Sequence, residues 1–175
     1  MRVIGGEFRS RRLISVPGLD TRPTPDRLRE TLFNILSPRI EGATFLDAYA
    51  GSGAVGIEAL SRGATSATFI ERSRGAVDII RRNLKALGLE TRAEVITGKV
   101  LTALPRFTPD IAFLDPPYEL EDEYSEALGV LGGAAPSLVI VQHSTRMKLR
   151  PDYGTLHVSR TVRQGDNVLT FLQPE

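Results

Sequence analysis

The segment with the clearest chemical content is Asp115-Pro116-Pro117-Tyr118, which follows the apolar run at 111–114. Such a run is typical of a buried parallel strand. Two prolines remove backbone donors and fix the turn, so nearby carbonyl groups are left to face a ligand. The carboxylate can accept hydrogen bonds from an amine, and the ring offers a face for stacking. These residues predict a pocket for a planar nitrogenous base; the alternative is a proline-rich turn that ends a strand.

A glycine-rich segment lies upstream, where the predicted strand 44–48 runs into Asp47-Ala48-Tyr49-Ala50-Gly51-Ser52-Gly53 and then a predicted helix at 54–62. With Gly56, the glycines spell G-x-G-x-x-G, the pattern of a dinucleotide site. Asp47, however, would repel a pyrophosphate at this loop. It suits a ligand with an amino group and a positive centre, and S-adenosylmethionine has both. We therefore favour S-adenosylmethionine as the cofactor and keep NAD as the alternative.

The next predicted strand, 66–71, also ends in an acid. Glu71 follows Gly51 at the spacing of roughly 20 residues at which an acid accepts hydrogen bonds from ribose hydroxyls. The alternative is a solvated charge before a helix, since Ser73 can cap the helix that follows. The preceding glycine loop favours the ribose contact.

These motifs together resemble the S-adenosylmethionine-dependent class I methyltransferases, and Asp-Pro-Pro-Tyr is typical of those that methylate an exocyclic amino nitrogen of a base. Three further stretches resemble the RsmD family of bacterial 16S ribosomal RNA guanine-N2 methyltransferases: residues 2–6, residues 22–34 and residues 56–64. The resemblance covers essentially the whole chain. It implies methyl transfer to N2 of a guanine in 16S ribosomal RNA, of the guanine(966) type. Methylation of adenine N6 or another base, and an NAD-dependent oxidoreductase, are the alternatives.

The resemblance carries over to individual positions of this sequence. The residues expected at the reacting base are Asp115, Pro116, Pro117 and Tyr118. The residues expected to bind the cofactor are Asp47, Tyr49, Ala50, Gly51, Ser52, Gly53, Glu71, Arg72, Lys99, Val100 and Asp115. Relatives usually carry Asp or Asn near Lys99, so we expect a backbone amide near Val100 to contact adenine instead. Relatives often carry Glu at Gln142.

Charge is unevenly distributed along the chain. The net charge is +1, but residues 1–29 hold seven arginines against three acids, which is +4, so the remainder carries −3. Arginine pairs with phosphates in a bidentate manner and stacks on bases. We therefore expect an RNA-binding arm beside the cofactor cleft, and we expect replacement of Arg9, Arg11 and Arg12 to leave cofactor affinity nearly unchanged; a solvated basic surface is the alternative. The expected RNA contacts are Arg2, Arg9, Arg11, Arg12, Arg22 and Arg27, and the expected partner is 16S ribosomal RNA or the assembling small subunit.

Composition excludes several other classes. Cysteine is absent, which excludes a disulfide framework and a cysteine metal site. His143 and His157 are far apart in the sequence, so no metal site is expected, and His143 is expected to be a hydrogen-bonded residue rather than a catalyst. No apolar run approaches the length of a membrane span, and no signal-peptide pattern is present. We expect a cytoplasmic monomer.

The elements that must position these residues alternate between strand and helix. They predict an α/β fold with a Rossmann-like, doubly wound, mostly parallel seven-stranded sheet and a small N-terminal β-hairpin. One domain is expected over 1–175, with a basic hairpin arm at 1–22 and a catalytic core at 24–175. The later strands are predicted at 93–96, 110–114, 137–142, 153–160 and 167–172, and the other helices from a Thr24 cap to about Leu36 and at 74–87, 100–104 and 121–132. The resemblance supplies an antiparallel last strand. Asp47, Glu71 and Asp115 all fall at the carboxyl ends of strands, where such sheets bind ligands.

Overall fold

The computed structural model describes residues 1–18, 25–117, 120–134 and 136–175. Its α-helices are α1 Asp26–Ile40, α2 Ala54–Ser61, α3 Arg74–Ala86, α4 Val100–Ala103 and α5 Glu121–Ala134. Its strands are β1 Thr44–Ala48, β2 Ser66–Glu71, β3 Ala93–Thr97, β4 Ile111–Leu114, β5 Leu138–Ser144, β6 Asp152–Tyr153, β7 Leu156–Gln164 and β8 Asn167–Gln173.

The strands form one sheet in the order β3-β2-β1-β4-β5-β8-β7-β6. The first five are parallel, and β8, β7 and β6 add to β5 in antiparallel pairs. The prediction of a doubly wound, mostly parallel α/β fold is therefore confirmed in outline. The predicted number of seven strands was wrong, because the described residues form eight. The predicted strand 153–160 is divided at Gly154, whose φ of +62° makes a tight turn between β6 and β7.

Helices cover both faces of the sheet. On one face, α1, α2 and α3 bury residues such as Phe33, Ile57 and Ile80 against the sheet residues Phe45 and Phe69. On the other face, α4 and α5 pack on Leu46, Val139 and their neighbours. Because β4 and most of β5 are buried on both faces, their sequences are continuously apolar rather than alternating.

Helix α1 continues past the predicted end near Leu36. It includes Pro38 and ends at Ile40, which is 3% exposed and lies in the same hydrophobic cluster as Phe33. Proline inside a helix removes one backbone hydrogen bond, and burial of Ile40 offsets that loss. The predicted Thr24 cap lies outside the described residues.

The N-terminal arm, residues 1–16, doubles back on itself but does not form the predicted hairpin of two strands. A single antiparallel bridge joins Arg2 and Arg12. The Val3 and Leu13 amides also donate to the carbonyl oxygens of Arg11 and Met1, at 2.9 and 2.8 Å, so the two limbs are paired without forming regular strands. Other backbone groups of the arm bind helix side chains: the amides of Ile4 and Gly5 donate to the Glu58 carboxylate, each at 2.9 Å. These helix contacts limit the ladder that the local pattern predicted.

Glu58 anchors the arm to α2. Its carboxylate is 1% exposed, accepts from Arg62 Nε at 2.8 Å and lies 3.6 Å from Arg29 Nε. Arg29 is fully buried and donates to the Arg2 carbonyl oxygen at 2.6 Å. Gly6 lies so close to the helix that a Cβ would stand 2.0 Å from the Ser61 carbonyl oxygen. The glycine pair near the N-terminus and Arg29 therefore have a structural role, and Arg29 does not contribute to an exposed basic surface.

Candidate functional site

A cavity of about 810 Å³ lies at the carboxyl edge of the parallel strands. It brings together predicted residues from the ends of β1, β2, β3 and β4: Asp47, Tyr49, Ala50, Gly51, Ser52, Glu71, Arg72, Lys99, Val100, Asp115 and Pro117. Gly53 and Pro116 are close in sequence but are not part of its wall. Tyr118 lies outside the described residues.

The loop after β1 is shaped by its glycines. Gly51 and Gly53 have φ values of +58° and +83°, a conformation that favours glycine. Within the loop the Gly53 amide donates to the Ala50 carbonyl oxygen at 2.8 Å. Gly56 serves packing, since a Cβ there would stand 2.4 Å from the Phe69 ring. The three glycines of the G-x-G-x-x-G pattern therefore do different things, and Gly51 is the one at the cavity wall.

Asp47 is a buried acid at the floor of the cavity. The side chain is 2% exposed, and its Oδ2 accepts from the Gly56 amide at 2.9 Å. Burial raises the pKa of the Asp47 carboxyl well above its usual range, and the negative charges of Asp115 and Glu71 raise it further, against the opposing effect of the Gly56 amide. A cationic group in the cavity would favour the ionised form of this carboxyl.

Glu71 is held in place by two backbone amides. Its Oε1 accepts from Gly51 at 3.0 Å, and its Oε2 accepts from Ser73 at 2.8 Å. The Ser73 hydroxyl in turn caps α3 by accepting from the Ala76 amide at 3.3 Å, which confirms the predicted cap. Each carboxylate oxygen can accept a second hydrogen bond. Glu71 can therefore order the start of α3 and still offer two acceptors to a ribose in the cavity.

The loop after β3 forms another part of the wall. It is tied to β2 by the Gly98 amide, which donates to the Glu71 carbonyl oxygen at 2.9 Å. Lys99 is exposed, whereas Val100 is buried at the first position of α4. Amides in the first turn of a helix have no partner within the helix. An apolar surface beside such an amide suits the edge of a flat heterocycle.

The loop after β4 forms the opposite side of the cavity with Asp115 and Pro117. Pro116 is buried, and its carbonyl oxygen lies 3.2 Å from the Tyr124 hydroxyl, which is also 3.4 Å from the Gln142 carbonyl oxygen. Tyr124 thus ties the loop to α5 and to the end of β5. This contact fixes the proline turn from behind, away from the cavity.

Sequence reasoning missed a pair that bridges the two sides. The Tyr49 hydroxyl donates to the Glu123 carboxylate in the first turn of α5, and both side chains line the cavity. Burial and this carboxylate raise the pKa of Tyr49 above its usual range. Tyr49 also has a φ of +61°, which is uncommon for a bulky residue and is often found at functional sites. Because the pairing depends on tertiary structure, no local signal in the sequence indicated Glu123.

The arm also contributes to the cavity. Met1, Ser15 and Val16 are part of its wall. Next to them, Asn83 on α3 binds the amide and the carbonyl oxygen of Ile14, at 2.7 and 3.0 Å, and donates to the Ser52 carbonyl oxygen at 3.1 Å. Arg9, Arg11 and Arg12 are not part of the wall, so a small effect of their replacement on cofactor affinity stays a prediction.

The predicted RNA contacts lie outside the cavity. Arg2, Arg9, Arg11, Arg12 and Arg27 are exposed, and Arg22 lies outside the described residues. Arg11 donates to the Ala86 carbonyl oxygen at 3.1 Å, which holds the arm against the end of α3.

His143 is 5% exposed and bonds Thr170 Oγ1 at 2.7 Å. Burial lowers the pKa of His143, and the residue is not part of the cavity wall, which agrees with the predicted hydrogen-bonding role. In the part of the chain that the structure describes, no three metal-ligating side chains cluster, and no helix is long and apolar enough to cross a membrane.

Comparisons with known proteins identify the family. The sequence profile described as Conserved hypothetical protein 95 matches residues 1–173. The Bacillus subtilis protein YlbH is 34% identical over 94% of each chain. Ribosomal RNA small subunit methyltransferase D of Escherichia coli is 45% identical over a region that spans 67% of this chain and 60% of that enzyme. The solved structure of yhhF from Escherichia coli has a TM-score of 0.88 and 34% identity, and covers 100% of this chain and 98% of that one. With the profile matching nearly its full length, the chain belongs to the Conserved hypothetical protein 95 family, the RsmD family of methyltransferases.

Proposed function

We propose that the protein transfers a methyl group from S-adenosylmethionine to the exocyclic N2 of a guanine in small-subunit ribosomal RNA. One observation carries the proposal: Asp47, Glu71 and Asp115, at the ends of β1, β2 and β4, line a single cavity. Its volume of about 810 Å³ lies within the range of cofactor sites. Each acid matches a different part of the reaction.

The residues present fit the cofactor. Glu71 offers two fixed acceptors for the ribose hydroxyls, and Asp47 is a buried carboxyl that a cationic ligand would stabilise. The Gly51 loop allows close approach of a backbone, and Val100 with its amide provides a wall for adenine. S-Adenosylmethionine supplies an electrophilic methyl group on a positively charged sulfur. Relatives carry Asp or Asn near Lys99, so in this chain the adenine contact is assigned to the backbone amide near Val100.

The residues on the other side of the cavity handle the target base. A guanine amino nitrogen is a poor nucleophile because its lone pair is delocalised into the ring. Asp115, by accepting a hydrogen bond from that amine, favours a pyramidal nitrogen whose lone pair points at the methyl group. Holding the amine nitrogen in line with the methyl carbon, at about 3–3.5 Å, supplies much of the acceleration of methyl transfer. The proton lost from nitrogen after attack passes to Asp115 or to water.

Two further residues of the Asp115–Tyr118 turn have distinct predicted roles. Tyr118 is predicted to stack on the base, a contact worth ~1–3 kcal/mol. The Pro116 carbonyl oxygen, which the Tyr124 hydroxyl contacts at 3.2 Å, can accept a second hydrogen bond and is predicted to accept the second amine hydrogen.

The substrate class follows from the relatives and the charge distribution. The Escherichia coli relative is a methyltransferase of small-subunit ribosomal RNA, as its name says. The exposed arginines of the arm suit an RNA backbone. The target guanine must be unpaired or flipped to reach the cavity. One domain, a monomeric state and a cytoplasmic location stay predictions.

The test is product identification. The purified protein is incubated with isotopically labelled S-adenosylmethionine and small ribosomal subunits, or their RNA, from a strain that lacks the corresponding methyltransferase. Nucleosides are then separated and weighed by mass spectrometry. We expect labelled N2-methylguanosine at one position. Labelled N6-methyladenosine would replace the guanine assignment by the adenine alternative, and cofactor-dependent stabilisation by NAD without methyl transfer would overturn the proposal.

A further inference from the structure

A second basic surface lies outside the arm. Residues 145–164 hold five cations, Arg146, Lys148, Arg150, Arg160 and Arg163, against one acid, Asp152, which is +4. Residues 1–29 also carry +4, and the whole chain carries +1. The rest of the chain therefore carries −7. Within that remainder, residues 72–85 carry +4 as well, from Arg72, Arg74, Arg81, Arg82 and Lys85 against Asp78. Positive charge is therefore concentrated in three segments, and the sequence prediction used only the first.

The second segment begins with a turn at the end of β5, in which the Met147 amide donates to the Ser144 carbonyl oxygen at 3.2 Å. Residues 145–151 connect β5 to β6 across the face of the sheet that carries α5, with Met147 and Leu149 packed against the hydrophobic cluster there. Arg146, Lys148 and Arg150 alternate with them and are exposed. We call these three cations the basic ridge.

The charges of the basic ridge are not neutralised within the protein. Across the described ranges, none of the three side chains has a carboxylate within 4.0 Å. Asp152, the acid nearest in sequence, is bound to His157. The Arg150 guanidinium lies over the Tyr153 ring, 4.6 Å from its centroid, which leaves its charge available and holds the side chain in an outward position.

The basic ridge starts beside the base side of the cavity. Strand β5 pairs with β4, with Val141 opposite Leu114, so Gln142 lies next to Asp115 at the carboxyl edge. Arg146 follows four residues later. The arm, by contrast, is anchored on α2 and α3 and meets the cavity beside Ser52. The arm and Arg146 therefore lie near different sides of the cavity, with Arg146 on the side of β5. From there the ridge runs to Arg150, beside Tyr153 in β6.

We propose that the basic ridge binds backbone phosphates of the RNA strand that carries the target nucleotide. The inference rests on the proposed function, since it needs a base that enters beside Asp115. A base turned out of its helix keeps its neighbouring phosphates within a few ångströms of the pocket mouth. Arg146, four residues after Gln142, is the part of the ridge that begins on that side. Two anchor points, the arm and the ridge, would fix the direction of the strand across the cavity.

An RNA backbone fits the basic ridge better than a protein partner does. Protein interfaces have an apolar centre depleted of charge. In residues 145–151, the apolar side chains Met147 and Leu149 point into the protein, and the exposed positions are cationic. Such a surface has charge without an apolar anchor, as expected for phosphate contacts.

The test removes two cations from the ridge and, as a charge-matched control, two from the basic segment on α3, which the inference does not place against RNA. The variant Arg146→Ala/Lys148→Ala is compared with Arg81→Ala/Arg82→Ala, which removes two exposed cations of α3. Both pairs lack side-chain bonds to other described residues, so the fold should be retained; thermal unfolding checks this. Binding of small-subunit ribosomal RNA is measured at several salt concentrations, alongside calorimetry with S-adenosylhomocysteine. The charge-reversal variant Lys148→Glu provides a second test of the same surface.

We expect the ridge variant to bind RNA about tenfold more weakly near 0.15 M salt, with a salt slope smaller by about 1.4, since each phosphate contact on single-stranded nucleic acid contributes about 0.7. Cofactor affinity should not change, and the control should stay within about twofold of the wild type. Equal RNA binding by ridge variant and control would overturn the inference, provided the wild type methylates the RNA. An effect on assembled subunits but not on naked RNA would assign the ridge to a ribosomal protein and also overturn it. If the wild type methylates no RNA, the proposed function fails first.

Discussion

The two sides of the cavity are built differently. On the cofactor side, buried or half-buried carboxylates bind backbone amides: Asp47 binds Gly56, and Glu71 binds Gly51 and Ser73. On the base side, the turn after β4 is shaped by consecutive prolines and is held from behind by Tyr124. One side presents carboxylates that bind backbone amides at the cavity wall, and the other presents Asp115 at the wall, next to the proline turn.

This difference separates binding from chemistry. Residues that contact only the cofactor position a ligand, and their loss should weaken cofactor affinity. A residue that meets the reacting atom should affect rate far more than affinity. Variants on the cofactor side should therefore lose cofactor affinity, and variants on the base side should lose methyl-transfer rate. Equal losses of both quantities on both sides would contradict this distinction.

The largest effect is expected at Asp115. Replacing Asp115 by Ala removes the acceptor for the amine and should lower the methyl-transfer rate by ~100- to 1000-fold, as for other positioned acid–base groups. Affinity for S-adenosylhomocysteine should change little. Rates with ribosomal RNA and calorimetry measure the two quantities. Asp122→Ala, which removes an exposed carboxylate at the start of α5, is the matched control and should have wild-type activity. A parallel loss of affinity and rate would point to a structural role for Asp115.

A smaller effect is expected at Glu71. Glu71→Ala removes the acceptors for the ribose hydroxyls and should cost ~1.5–3 kcal/mol of cofactor binding free energy, the range for hydrogen bonds to a charged group. Glu94→Ala, an exposed acid on β3, controls for the change in charge. Calorimetry with S-adenosylhomocysteine measures both. Unchanged affinity in Glu71→Ala would remove this residue from the site.

The smallest effect is expected at Asp47 and depends on pH. Its pKa is raised by burial in the folded protein, so the carboxyl keeps its proton to higher pH when folded than when unfolded. Stability is therefore lost as pH rises from the ordinary value near 3.8 towards the folded pKa. Asp47→Asn should raise the free energy of unfolding of the ligand-free protein by on the order of 1 kcal/mol above that pKa.

The gain in free energy of unfolding from Asp47→Asn should shrink as the pH falls towards the ordinary pKa of an aspartate. The wild-type carboxyl is then increasingly neutral in both the folded and the unfolded protein. Cofactor affinity should fall in the same variant, since the cationic ligand loses a charged partner. Denaturant unfolding of both proteins at several pH values measures the first effect. A variant that is less stable than the wild type at every pH would show that Asp47 is ionised and paired in the ligand-free fold.

The sequence predicted the parts of the site that are local in the chain. The positions of the first five strands along the chain, and the acids at the ends of three of them, follow from short patterns, and the structure gathers Asp47, Glu71 and Asp115 as expected. Contacts between distant segments could not be read this way. Glu123 reaches Tyr49, and Val16 reaches the cavity, only through tertiary packing.

The errors of the prediction have the same origin. The N-terminal residues were expected to pair with each other, yet Glu58 and Asn83 compete for their backbone groups. Helix α1 was expected to stop before Pro38, yet burial of Ile40 extends it. In each case a long-range contact overrode a local preference.

The most direct test of the division between the two sides is single-turnover methyl transfer at saturating cofactor, with wild type, Asp115→Ala and Glu71→Ala measured on the same ribosomal RNA. We predict that Glu71→Ala recovers a rate within a few-fold of the wild type once the cofactor is saturating, whereas Asp115→Ala stays at least ~100-fold slower. If saturation rescues both variants, or neither, the two sides of the cavity do not divide binding from chemistry and the account is contradicted.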